Sequence, residues 1–340
     1  MTRMVAKRYL TFGQGASNPE GHLRPMVCIM GVGGAGCNMV DSVIDLNLRH
    51  VAVMAVNTDA QNLRGLRCTR ILIGKTITSG RGACSDTQKG EEAAIADIDK
   101  IGAAIAGTDV LFLLLGLGGG TGTGASPVVA RLARKMGIFV VALTIYPFKA
   151  EGPTRDQRAR LGIDKLRDAA DAVVMVQNDK LAKDFPDMTF QDAIKVADHL
   201  LLAPVKAISQ LLTKEDLPNL RKVLCIRDIA RLGFGEAKLR LGSHNAVRDA
   251  IASLMPDGDI SSHDRALAVV SCPPGCGNEE LHRMIAHLHL FIHQDADILW
   301  GPIVDPSLED EVRLMTIVGR ARACPPEVSA PLTGAPGPDH

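Results

Sequence analysis

Apolar residues along this chain gather into short unbroken runs separated by glycine and polar clusters. Runs at 25–30, 51–56, 70–74, 110–115, 138–145 and 172–177 have strand length and turn-forming neighbours, the pattern of strands buried on both faces. Between them, apolar positions recur at helical spacing over 39–47, 86–106, 125–134 and 153–169. This alternation predicts a mostly parallel sheet covered by helices on both faces. A long helix is predicted over 189–212, interrupted at Pro204, and a further one over 243–254. The texture then changes. Strands at 265–271, 296–304 and 312–319 around a helix at 278–292 predict a second, smaller α/β domain in which antiparallel pairing is allowed. The expected organisation is a flexible segment over 1–24, a ligand-binding α/β domain over 25–187, a central helix and its following loop over 188–224, and the second domain over 225–320. The tail, 321–340, is rich in Pro, Ala and Gly without apolar period and is expected to be disordered.

Two glycine loops interrupt the strand-to-helix pattern. The run at 110–115 leads into Gly116-Leu-Gly-Gly-Gly-Thr-Gly-Thr-Gly124, then a helix with Pro127 placed to suit its first turn. Strand, glycine loop and helix N-terminus together form an anion site, because bare backbone N–H groups and the positive end of the helix dipole face the ligand. The Thr hydroxyls add donors. The other loop, Gly31-Val-Gly-Gly-Ala-Gly-Cys-Asn38, contains a Gly-x-Gly-x-x-Gly match at Gly31, Gly33 and Gly36. By itself that match fits a dinucleotide-binding Rossmann fold, which requires an acid about 20 residues on, and Asp59 stands near enough to supply it. The second loop favours a nucleotide gripped from both sides. Neither loop carries the Gly-Lys-Ser/Thr of a P-loop. Sheets of this kind bind ligands at the carboxyl ends of their strands, where both loops, Asn57, Glu151 and Asn178 are expected to gather.

Composition narrows the classes. Lys and Arg number 38, as do Asp and Glu, so no general field for nucleic acid is expected. No apolar run reaches membrane-spanning length and 1–25 lacks a signal-peptide core, which points to the cytoplasm. Most of the eight Cys are then expected to be buried hydrophobes or free thiols. Cys272 and Cys276 form the one close pair, and no second pair of zinc-site spacing accompanies them, so a plain loop is expected and no metal site is assigned. His282, His289 and His293 have spacings that can share a helix face, read as a solvated one.

Gly116 to Gly124 resembles the signature of the tubulin/FtsZ family. Gly31 to Asn38, Asn57-Thr-Asp-Ala-Gln-Asn-Leu63, Pro147-Phe-Lys-Ala-Glu-Gly152, Gln177-Asn-Asp-Lys-Leu181 and Gly301-Pro-Ile-Val-Asp-Pro-Ser-Leu-Glu-Asp-Glu311 are similar to FtsZ rather than tubulin. The resemblance spans 25–319. It implies a GTP-binding domain, a central helix and a smaller C-terminal domain, assembled head to tail into protofilaments of cell division with GTP at each interface. The implied nucleotide contacts are Gly33, Gly34, Ala35, Gly36, Cys37 (through its backbone) and Asn38, with Ala83 from the turn-rich loop between them. Gly118, Gly119, Gly120, Thr121, Gly122, Thr123 and Gly124 are implied to cradle the phosphates. Glu151 and Arg155 match the family's Glu-Gly-x-x-Arg at the ribose and guanosine side, and Asn178 and Asp198 match positions that recognise guanine. A carboxylate suits guanine, whose N1–H and N2 amine are both donors. GTP or GDP is the implied ligand, with Mg2+ accompanying it. The implied partners are further copies of the chain, with another FtsZ as a second possibility.

Three departures stand out. Ile194 occupies the place of a base-stacking Phe, which predicts weaker nucleotide affinity by about 0.5–1.5 kcal/mol. The loop after the central helix reads Thr213-Lys-Glu-Asp-Leu-Pro-Asn219, whereas the family carries Asn-x-Asp-x-x-Asp there and inserts it into the neighbour's nucleotide pocket. Lys214, Asp216 and Asn219 fall at the three catalytic places. One carboxylate has become an amide, which binds water but cannot act as a base, so slow hydrolysis is expected. Glu215 as a substitute acid, Lys214 as a phosphate partner across the interface, and a loop that merely turns the chain are all open readings. So is a non-hydrolysing paralogue that copolymerises with or caps filaments. Finally, 324–340 lacks the family's terminal peptide for membrane-tethering adaptors, which leaves that partner unassigned.

Overall fold

A computed structural model describes residues 9–11, 23–46, 48, 50–184, 187, 189–256 and 258–322. In chain order the elements begin with β1 (Tyr9–Thr11), β2 (Val27–Val32), α1 (Gly33–Asp45), β3 (Val51–Asn57), α2 (Ala60–Leu63), β4 (Thr69–Leu72) and α3 (Lys75–Thr78). They continue with α4 (Thr87–Ala96), α5 (Ile98–Ile105), β5 (Val110–Gly116), α6 (Gly120–Lys135), β6 (Phe139–Tyr146), α7 (Pro153–Ala169), β7 (Ala172–Gln177) and α8 (Asn178–Asp184). The long α9 (Phe190–Leu211) and short α10 (Leu217–Leu224) lead to β8 (Ile229–Lys238), α11 (His244–Ala252), β9 (Arg265–Cys272), α12 (Asn278–Leu288), β10 (Asp297–Val304) and β11 (Glu311–Gly319).

The strands form one sheet in the order β1-β10-β9-β11-β8-β7-β6-β5-β2-β3-β4. Only β11 runs antiparallel, against both β8 and β9. Strand β5 shows why the sheet is buried on both faces. Val110, Phe112 and Leu114 enter one core with α1 and α9, while Leu111, Leu113 and Leu115 enter another with α4 to α7. All six are fully buried, each contributing about 1.5–3 kcal/mol. A third core fills the second domain around α11 and α12.

From β4 through β3, β2, β5 and β6 to β7, the order is that of a doubly wound nucleotide fold. Its direction of winding reverses between β2 and β5, the place where such sheets open a ligand crevice. Both glycine loops leave the sheet there.

The structure corrects several expectations. The predicted helix over 86–106 is two, because the Asp97 carboxylate accepts the Gly74 N–H at 2.6 Å and bends the chain between α4 and α5. Helices α1 and α6 start inside their glycine loops, so Pro127 lies within α6 rather than in its first turn. Pro204 likewise sits within a continuous α9; packing against the core outweighs its cost there. Helix α12 ends at Leu288, which puts His289 and His293 outside it, and the predicted shared face does not form. Strand β8 was not read from sequence. Its Gly233 and Gly235 weaken the strand pattern, yet a Cβ at either would come within 2.2 Å of the α11 backbone, so close helix packing requires them.

The lead-in over 1–24 lies largely outside the described residues, but 9–11 pair with β10 and 23–24 are held in place. Arg24 donates to the carbonyls of Ser209 and Gln210 at the end of α9. The predicted tail also lies outside the described residues beyond Arg322. Arg322 itself donates from its N–H to Cys225 and from its guanidinium to Arg167.

Candidate nucleotide-binding site

The two glycine loops, predicted separately, touch. A Cβ at Gly33, whose φ is +74°, would lie 2.6 Å from the Gly122 nitrogen, so neither loop admits a larger residue at that contact. Gly34 and Gly119, by contrast, face open space. The buried hydroxyls of Thr58 and Thr121 lie 2.6 Å apart, and Thr123 Oγ1 accepts the Gly118 N–H at 2.8 Å, fixing the second loop internally. Helices α1 and α6 have no acid in their first turn and no side-chain cap. Their N-terminal N–H groups are thus available to an anion in the crevice between β2 and β5.

Of the remaining predicted residues, Ala83 and Arg155 lie against the second loop, and Asn178 directly follows β7. Ala35 and Asn38 are exposed on α1, and Ala83 is buried against Gly120. Cys37 turns inward, where burial pushes its thiol up to about 12 and its Sγ accepts from Asn57 at 3.6 Å. Its side chain is therefore a neutral core group within α1. Asp59 serves α2 as N-cap, accepting from Gln61 at 2.8 Å; the acid that kept a dinucleotide reading open is occupied locally. Glu151 accepts the Phe148 N–H and pairs with Arg155 at 3.0 Å.

Asn178 is 5% exposed, and its Oδ1 has no hydrogen-bond partner among the described residues. A buried amide oxygen left open costs about 1–3 kcal/mol, which a ligand donor would recover. Ile194 and Asp198 stand one helical turn apart on α9, hence on one face. Ile194 is exposed, and burial pushes the Asp198 carboxyl up to about 6.

The turn over 213–219 lies elsewhere. Lys214 donates its backbone N–H to Leu23 at 2.9 Å, and its Nζ lies 3.8 Å from Asp109, immediately before β5. The glycine loop begins at the other end of that strand, seven residues and about 23 Å away. The structure therefore does not bring Lys214, Asp216 and Asn219 to their own chain's glycine loops. Asp216 is 3% exposed and accepts the Thr213 N–H at 3.0 Å and the Thr213 hydroxyl at 2.6 Å, capping its own turn. Lys214 and Glu215 are exposed, and Asn219 is half-buried in the first turn of α10.

Sequence reading missed three supports of this arrangement. Arg158 donates to the Gly118 carbonyl at 2.9 Å, bracing the second loop from α7. Asp109 accepts the Met26 N–H at 2.7 Å beside Lys214. Arg24 fastens the end of α9. Only Arg158 carried a local signal, one helical turn after Glu151-Gly-x-x-Arg155; the others depend on contacts over 80 or more residues.

Comparison with known proteins supplies the family. Residues 26–185 match the Tubulin/FtsZ family, GTPase domain, and 228–321 match the FtsZ family, C-terminal domain. Cell division protein FtsZ 1 of Halobacterium salinarum is 40% identical over 302 residues, 87% of this chain and 76% of that protein. Its counterpart in Archaeoglobus fulgidus is 39% identical over the same share of this chain and 82% of its own. A solved FtsZ dimer from M. jannaschii superposes with a TM-score of 0.81 at 35% identity, covering 87% of this chain and 88% of that one. The chain belongs to the FtsZ branch of the tubulin/FtsZ family of GTPases.

Proposed function

We propose that this protein binds GTP in the crevice between β2 and β5 and assembles head to tail, hydrolysing GTP slowly where one subunit's 213–219 turn meets the next subunit's glycine loops. The observation that carries the proposal is the separation of these two parts at opposite ends of β5. One chain holds both halves of a site and cannot close them on itself.

Within one subunit, the N–H groups of Gly34 to Gly36 and of Gly119 to Thr123 hold the phosphates, and Arg158 keeps the second loop in shape. Asn178 and Asp198 recognise guanine, Glu151 and Arg155 flank the ribose, and Ile194 packs on the base. The open Asn178 oxygen and the uncapped helix ends fit such a ligand in donor and acceptor type. Mg2+ would neutralise phosphate charge beside the loops. From the neighbour, Asn219 orients water, while Asp216 acts through the turn that it caps. The nucleotide-binding part takes in 25–187, the central helix and turn 188–224, and the C-terminal part 225–320.

Copies of this chain are the primary partner, with another FtsZ as a second. The cytoplasm, with the division site as place of action, is the location proposed; among the described residues no helix is long and apolar enough to cross a membrane. Sedimentation and phosphate release with GTP and with GDP test the reading. Pelleting and slow phosphate release with GTP alone are expected. Pelleting with no phosphate released would select a non-hydrolysing paralogue instead, and failure to bind GTP at all would refute the site.

A further inference from the structure

Cys272 closes β9, and Cys276 follows four positions on, across Pro273, Pro274 and Gly275. The segment turns back on itself: the Cys276 N–H donates to the Pro273 carbonyl at 3.2 Å, and Gly275 adopts φ +86°. This reversal turns both cysteines onto the same core, and each thiol raises or lowers the other's proton affinity at that close range. Cys272 is 2% exposed and its backbone is locked in the ladder opposite Val304, with its carbonyl accepting the Asp305 N–H at 2.8 Å. Cys276 is half-buried against the same core. Both are free thiols. Among the described residues no group of three His, Cys, Asp or Glu could hold a metal ion.

We propose that Cys272 and Cys276 form a reversible dithiol–disulfide modification site, oxidised by a small disulfide of the glutathione type. Cys276, the more accessible of the two, loses its proton to solvent and its thiolate attacks one sulfur of the oxidant. One small thiol leaves, and a mixed disulfide forms on Cys276. Cys272 then loses its proton and attacks the Cys276 sulfur, expelling the second small thiol and closing the protein disulfide. The two protein thiols give up two electrons and two protons, and the oxidant becomes two thiols. Burial raises both thiols, that of Cys272 to about 11, so exchange is slow near neutrality and quickens as pH rises. The second step is intramolecular between groups that the turn brings to one core, which favours closure over a persistent adduct. Next to the pair, Ser271 and Asp305 line a cleft of about 390 Å³ between α9 and the C-terminal strands, so closure would brace one rim of it.

The test treats the reduced, folded full chain with excess oxidised glutathione at about pH 8.5, within the ordinary thiol range, then alkylates and digests with trypsin. Both cysteines fall on the single peptide 266–283. The expected product is that peptide lighter by two hydrogens, restored by dithiothreitol. In Cys272→Ser the glutathione adduct should remain trapped on Cys276, while Cys276→Ser should leave Cys272 unmodified. The proposal is overturned if the wild-type peptide stays a dithiol while exposed Cys84 becomes modified, or if it holds glutathione on Cys276 with Cys272 free.

Discussion

Asp198 combines two demands that pull in opposite directions. Burial raises its carboxyl to about 6, above the ordinary carboxylate value, so the folded chain favours its protonated form. Its contribution to stability is therefore full below the unfolded value and lost as pH rises through about 6. The guanine recognition proposed for Asp198 needs the opposite state, the ionised acceptor. GTP affinity should accordingly fall as pH drops from about 7.5 to 5.5, while the nucleotide-free chain gains stability from this group over the same window. Replacing Asp198 with Asn should weaken GTP binding about tenfold to a hundredfold near neutrality, the loss of a charge-assisted pair, and should flatten the pH profile. Titrating GTP by fluorescence or calorimetry at several pH values checks both; an unchanged profile in the variant would remove Asp198 from the site. In the proposed function Asn219 is the counterpart on the catalytic side. Restoring a carboxylate with Asn219→Asp should raise phosphate release at least about tenfold, since single electrostatic groups of this kind carry about 10²–10³ in rate. No gain would mean that the amide is not what limits turnover.

At the scale of elements, α9 and the turn after it are placed by partners remote in sequence. Arg24 holds the carbonyls that end α9, Leu23 accepts from Lys214, and Asp109 gathers Met26 and Lys214 at the start of β5. Arg24→Ala should leave GTP affinity of the isolated subunit unchanged, because the glycine loops are untouched. It should lower phosphate release severalfold and reduce the melting temperature, through about 1 kcal/mol of lost hydrogen bonding. A variant equally impaired in affinity would contradict this division of labour. These contacts also mark the limit of what the chain discloses when read alone. Strands β5 to β7 were legible because both faces are buried and their apolar runs are continuous, and α7 because its period and Pro153 fix its start. Strand β8 was hidden by glycines whose purpose is α11 packing, and the break at Asp97 depends on a hydrogen bond to Gly74, 23 residues away. Likewise the nucleotide loops were legible from their residue types alone, whereas the inward turn of Asp216 follows from its hydrogen bonds to Thr213 and was not.

Over the whole molecule, a single sheet carries the glycine loops at one end of β5 and the 213–219 turn at the other, about 23 Å apart along the strand. No hinge within the sheet can bridge that distance without breaking ladders of buried strands. The proposed function makes the chain one unit of a repeating contact, completing its neighbour's site and having its own completed in turn. Catalysis should then follow assembly. The most direct measurement is steady-state phosphate release per subunit across a wide range of protein concentration at saturating GTP. A per-subunit rate near zero at high dilution that climbs once subunits meet is expected. A per-subunit rate that stays the same from dilute to concentrated protein would place the whole active site within one chain and contradict the proposed function.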